Sequence, residues 1–229
     1  MLAINYVDYQ DPEKKSRQEV ALSVLQKIVP KNVSVLNLCY PDQDFTLPIP
    51  TLKTLSRDSQ QEIGNNRRMP YIKEILDKVA LEDCDVFGYM NSDILLDRSF
   101  FDIFDPRYDA YVCYKKDIKP ITVDNFLTGK IEVVEERPYG VDAVFFRTEW
   151  WKSSGSRFSE ECIVGESEWD TIYNSIIQGC GANYFIGRVL HHVIHERVWT
   201  IDSRGAINNK LIWDRVKSVY GIPKFEEGK

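Results

Sequence analysis

The chain has 229 residues, 43% hydrophobic and 28% charged, with a formal net charge of −6. That length and composition suit a globular protein with a substantial core, and the acidic balance argues against a nucleic-acid partner, which selects for a basic surplus. No apolar run approaches the roughly 20 residues needed for a transmembrane segment, and the opening Met-Leu-Ala-Ile-Asn-Tyr-Val-Asp lacks the basic region and cleavage site of a signal peptide.

Leu2 to Val7 reads as a first strand. Pro12 suits a first helical turn, and Val20, Leu22, Val24, Leu25 and Ile28 give an apolar helical stripe that Pro30 stops. Val33 to Leu38 alternates as a second strand, and Pro41, Pro48 and Pro50 make Tyr40 to Asn66 mostly loop. Pro70 then opens a helix whose Ile72, Ile75, Leu76 and Val79 share a face. Val86 to Met90 is an almost wholly apolar run, as expected of a strand buried on both faces of a parallel sheet. This β-α-β-loop-α-β order is the pattern of a doubly wound sheet.

The second half is less regular. Ala110 to Cys113, Ile131 to Val134 and Ala143 to Phe146 read as strands, with an exposed loop over 114–130 whose Lys115, Lys116, Lys119 and Lys130 either contact a ligand or are merely solvated. Trp169 to Ile177 has helical spacing and ends at Gly179. Tyr184 to Ile194 is rich in β-formers, and Asn208 to Tyr220 is a final amphipathic helix. No linker divides the chain, so one domain over 1–229 is expected. Its five cysteines (39, 84, 113, 162 and 180) form no Cys-x-x-Cys pair, which fits reduced thiols in a cytoplasmic protein.

Four groups of residues offer chemistry. Asn91, Ser92 and Asp93 stand where the strand at 86–90 ends, and ligands of open α/β sheets bind beyond the carboxyl ends of strands. The same residue types also make plain turns. All three histidines fall in one segment, His191, His192 and His195, followed by Glu196. In an extended strand His191 and His195 share a face, whereas His192 and His195 meet only if the chain turns. They are either metal ligands completing a site begun by Asp93 or imidazoles satisfying nearby carbonyls.

Ser167 and Asp170 fit the spacing of a capping box. Glu166, Glu168 and Asp170 also crowd three carboxylates into five residues, which raises their proton affinity and suits a general base. Arg67 and Arg68 precede the helix at Pro70, where guanidinium forks match phosphate oxygens; a solvated surface pair is the alternative. Tyr139-Gly140-Val141-Asp142 puts a carboxylate at the mouth of the next strand.

Taken together, these segments resemble a known family. Tyr89-Met90-Asn91-Ser92-Asp93-Ile94-Leu95-Leu96 is similar to the Asp-x-Asp strand end of GT-A-type glycosyltransferases, in a variant with Asn first. Gly140-Val141-Asp142 with Phe145-Phe146-Arg147 resembles the Gly-x-Asp strand, Val164-Gly165-Glu166 with Trp169-Asp170 the acceptor-side segment, and His192-x-x-His195 the late histidine motif. The resemblance covers roughly residues 66 to 199.

It implies an α/β, Rossmann-type three-layer fold with a mostly parallel central sheet flanked by helices. Residues 1–97 would form a nucleotide-binding half and 98–229 a sugar and acceptor half. It further implies a nucleotide-diphospho-sugar donor and a glycan, lipid-linked or other hydroxyl acceptor. Asp93 would bind a divalent cation, with His192 or His195 as a further ligand. Tyr6 and Asp8 would lie near the nucleobase and ribose, and Arg67, Arg68 and Asn91 near the nucleotide or its phosphates. Asp142, Glu168 and Asp170 would face the transferred sugar and the acceptor. Asn91 removes one anionic ligand, and a histidine ligand favours manganese over magnesium. The competing classes are a sugar-phosphate nucleotidyltransferase, for which no Gly-rich loop is visible between Asp8 and Arg17, a divalent-metal hydrolase, and a non-catalytic nucleotide-sugar-binding module.

Overall fold

The computed structural model describes residues 1–136, 141–195 and 200–224, so Tyr139, Gly140 and Glu196 lie outside the described residues. Strand β1 (Leu2–Ile4) leads to helix α1 (Pro12–Ile28), whose N-terminus is capped by the Asp11 carboxylate accepting from the Glu13 and Lys14 amides. Strands β2 (Val35–Cys39) and β3 (Thr51–Lys53) follow, then the short helix α2 (Ser59–Ile63). Two short elements therefore occupy the proline-rich stretch expected to be mostly loop. Helix α3 (Ile72–Val79) starts two residues beyond Pro70 and buries the expected Ile72, Ile75, Leu76 and Val79. Strand β4 spans Val86–Met90, as its apolar run predicts.

A short strand β5 (Ile94–Leu96) comes next, then the long β6 (Ala110–Ile118). The expectation of an exposed loop from 114 is wrong for residues 114–118. The chain continues there as strand, and Tyr114, Asp117 and Ile118 are buried. After α4 (Val123–Leu127) come β7 (Val133–Glu136), β8 (Ala143–Arg147) and α5 (Thr148–Ser154). The chain then runs through α6 (Trp169–Gly179) and β9 (Tyr184–Val193) to α7 (Arg204–Tyr220).

Among the described residues the nine strands make one sheet, ordered β3-β2-β1-β4-β8-β6-β9-β5, with β7 beside β6. β1 pairs in parallel with β2 and β4, β2 with β3, and β6 with β9, whereas β8 lies antiparallel between β4 and β6. The sheet is mostly parallel in strand direction and joins both halves of the chain.

Side chains alternate across the sheet into two cores, which gives the three layers. Phe87, Tyr89, Val144 and Phe146 pack with α3 and α6, while Met90, Ala143 and Phe145 pack with α1. Gly88 has no room for a side chain, since a Cβ there would sit 2.2 Å from the Val144 carbonyl oxygen on the neighbouring strand. Its bare backbone lets β4 and β8 close up and aims the end of β4 into a cleft. No described helix is long and apolar enough to cross a membrane.

Candidate active site

A cleft of about 670 Å³ opens beyond the ends of β1, β4, β6 and β9, within the range of small-molecule sites. Asn5, Arg67, Asn91, Asp93, Lys115, Asp117, Asp142, Glu168, Asp170, His192 and His195 all contribute to its lining.

Three adjacent strands assemble one end of it. In the sheet His192 on β9 lies opposite Ile94 on β5 and Asp117 on β6. This register brings Asp93, just before β5, against the histidines. Asp93 Oδ2 is 3.4 Å from His195 Nε2 and 3.9 Å from His192 Nε2, and the two Nε2 atoms are 3.0 Å apart. β9 ends at Val193, and beyond the strand end His195 lies against His192. His191 points to the opposite face, buried edge-on against Phe126. Burial would raise the Asp93 carboxyl, but the His195 hydrogen bond and the charges of both imidazoles and Lys115 outweigh it and hold it at about 2. Two imidazole nitrogens and one carboxylate oxygen within 4.8 Å of one another form a donor set that fits a divalent cation.

The other end holds two carboxylates, Asp142 and Asp170, each fixed by its own hydrogen bonds. Asp142 adopts a left-handed backbone, φ 45°. Its Oδ1 accepts from Asn91 Nδ2 at 2.9 Å and its Oδ2 from the Lys115 ammonium. Burial opposes the Lys115 charge, but the Asp142 carboxylate prevails and raises its pKa. Asn91 Oδ1 also accepts from the Tyr89 hydroxyl at 3.1 Å. Both ends of the Asn91 amide are thereby committed, and Asn91 stands as a clamp on Asp142.

Asp170 accepts from the Val141 amide at 2.8 Å and the Thr171 amide at 2.8 Å. Burial and then the Asp142 charge push its pKa up. Glu168, half-buried, is also raised, by burial and by Asp170. The capping-box expectation fails here. Glu168, not Ser167, is the N-cap of α6, it sits at φ 66°, and no side chain caps the helix. Asp142 and Glu168 are the non-glycine residues with positive φ among the described residues, and both line the cleft. Such strain persists where surrounding structure over-determines it, and it clusters at functional sites.

Other expected residues fall elsewhere. Tyr6 packs edge-on against Phe45, and Asp8 is exposed. Beyond the end of β1 at Ile4, Asn5, Val7 and Tyr9 line the cleft in their place. Arg68 turns away to Asp58 and Asp42 and stacks on Tyr40. Arg67 borders the cleft, but its guanidinium is held at 2.7 Å by Glu166 Oε1. Glu166 is fully buried and also accepts from Asn65 and Ser203, so it is a structural anchor for the 165–168 turn. Asn209 on α7 completes that anchoring by donating to the Ile163 and Ser167 carbonyls. Sequence reasoning offered Lys115 as a ligand contact, but on a loop, and missed Asp117; both line the cleft from strand β6.

No family description matches this chain, and no curated protein sequence does. Among solved structures it is similar to a mannosyltransferase from Pyrobaculum calidifontis in complex with GDP-Man and Mn2+, at 12% identity and TM-score 0.50, over 96% of this chain and 61% of that one. It also matches TarS 1–349 of S. aureus, at 14% identity and TM-score 0.48, over 84% of this chain and 59% of that one. The chain thus spans about three fifths of the length of these neighbours. The likeness to the mannosyltransferase establishes the fold: a mixed α/β architecture with a mostly parallel central sheet flanked by helices, as found in glycosyltransferase structures.

Proposed function

We propose that this chain is a glycosyltransferase of GT-A type that moves a sugar from a nucleotide-diphospho-sugar to an acceptor hydroxyl. The observation that carries the proposal is the cleft itself, with the Asp93–His192–His195 donor set at one end and the part-buried Asp142 and Asp170 carboxylates at the other. Lys115 connects them, acting electrostatically on Asp93, Asp142 and Asp170. The fold shared with a mannosyltransferase that binds GDP-Man and Mn2+ supports the same reading.

Asp93, His192 and His195 would hold a divalent cation, manganese before magnesium because two of three donors are imidazole. Such an ion neutralises charge on a diphosphate leaving group. The first half of the chain supplies Asn5, Asn91 and Asp93 on the donor side, and the second half supplies Asp142, Glu168 and Asp170 toward sugar and acceptor. Transfer breaks the bond between the sugar's anomeric carbon and the diphosphate oxygen and forms one to the acceptor oxygen, whose proton needs a base. Asp170 suits that task, since burial raises its proton affinity and two backbone amides fix its orientation.

The test is a panel of nucleotide sugars with added Mn2+, scored for release of the nucleoside diphosphate. Wild type should turn over one donor, and Asp93→Ala should melt near the wild-type temperature and lose turnover. A folded Asp93→Ala protein working at the wild-type rate would sink the assignment.

A further inference from the structure

Asp117 meets the donor set through His192. Its Oδ1 is 3.0 Å from His192 Nδ1, while His192 Nε2 faces Asp93 and His195. The Asp117 side chain is 8% exposed and that of His192 13%, so water competes little for the contact. A carboxylate is an acceptor only, so the hydrogen between them belongs to Nδ1. In the neutral imidazole Nε2 is then left as a bare lone pair directed at the place where the donor atoms converge.

The sheet has an irregularity that produces this alignment. Along β6 and β9 the pairs run Cys113 with Gly187 and Tyr114 with Arg188, and then Lys115 pairs with Leu190, so Val189 is extra on β9. Without the extra residue His191 would stand opposite Asp117. With it, His192 does. A one-residue slip exchanges the two faces of a strand, and bulges beside active sites re-aim side chains in this way.

We infer that Asp117 is a positioning residue, which locks His192 in its Nδ1–H form and presents Nε2 to a divalent cation. The inference rests on the proposed reading of Asp93, His192 and His195 as a cation site. Outer carboxylates of this kind orient an imidazole ligand and raise its basicity, and losing one weakens metal binding about 10- to 100-fold.

Two measurements on the full chain test it. The first is the proton position on His192 in wild-type protein without metal, read from imidazole ¹⁵N shifts at about pH 8, above the usual histidine range. Nδ1–H is expected, and Nε2–H overturns the inference whether or not any variant folds. The second is Mn2+ titration followed by the electron paramagnetic resonance of the free ion. Asp117→Ala should bind about 10- to 100-fold more weakly, and Asp117→Asn, which keeps an acceptor oxygen, should recover most of that loss. A folded Asp117→Ala protein that binds within about twofold of wild type, against that expected loss, refutes the inference. Should wild type itself bind no Mn2+, the cation reading fails, while the proton position still decides the Asp117 contact.

Discussion

Replacing Lys115 with Met keeps most of the buried stem and removes the ammonium that faces Asp142. The two side chains are only 16% and 14% exposed, and breaking a buried pair from one side costs about 3–5 kcal/mol because a charge is left uncompensated. Asp142 keeps its bond from Asn91 and some solvent, so Lys115→Met should cost about 2–3 kcal/mol. Urea unfolding should show a midpoint lowered by about 1 M with an unchanged slope. The deficit should also depend on pH in a definite direction. Burial, followed by the Asp142 charge, raises the Asp170 carboxyl above its ordinary value of 3.8, and Lys115 opposes the rise. A carboxyl with a raised folded pKa binds more protons folded than unfolded, so stability falls as pH rises through that window. Removing Lys115 widens the window. The deficit should be largest at about pH 7 and shrink toward about pH 4, where the carboxyls take up protons in both states. The double variant Lys115→Met with Asp142→Asn should recover part of it, since no unpaired charge remains. A deficit that is flat with pH, or larger in acid, would refute the coupling of Lys115 to the carboxylate pair.

Two further predictions concern the same cleft. Asn91→Asp restores an acidic first position to the strand-end motif, yet it should not tighten Mn2+ binding, because residue 91 faces Asp142. The change replaces a donor by a second carboxylate and should cost about 1–3 kcal/mol; tighter Mn2+ binding in a titration would show that the side chain can turn to the ion. Asp170→Asn should keep donor binding, read as a thermal shift, and lose transfer by about a hundredfold or more. Glu168→Gln is the control. If it alone abolishes transfer, Glu168 is the base, and if both variants keep full transfer, the acceptor-side reading of 166–170 fails.

The strands that carry the cleft were legible in proportion to how fully each is buried. β4 could be read to the residue because both faces pack into cores, leaving an unbroken apolar run between polar ends. β6 could be read only as far as Cys113. Beyond it the run Lys115-Lys116-Asp117 has the composition of a solvated loop, and nothing local indicates that the neighbouring strand ends make a polar cleft for Lys115 and Asp117. The partners of the arginine pair were hidden for a similar reason. Both guanidinium groups find carboxylates in the fold, Arg67 on Glu166 and Arg68 on Asp58, and the sequence does not display partners about 100 and 10 residues away.

Parity was the remaining obstacle, and it has a physical cause. An extended chain turns successive side chains to opposite faces, so the type of a strand can be correct while the named residues all lie on the wrong side. Tyr6 and Asp8 were one position out of phase with Asn5, Val7 and Tyr9, which face the cleft. The histidines show the same ambiguity resolved by longer-range structure. Local alternation alone pairs His191 with His195. The extra residue at Val189 and the end of the strand at Val193 reverse that choice, bury His191 against Phe126 and bring His192 to His195 and Asp93. A bulge is set by how two strands register over many residues, so no window of sequence around the histidines contains it. What the sequence does contain is the confinement of every histidine to one strand end. That concentration of ligand chemistry pointed to the cluster before its register was known, and the register then determined which imidazoles meet Asp93.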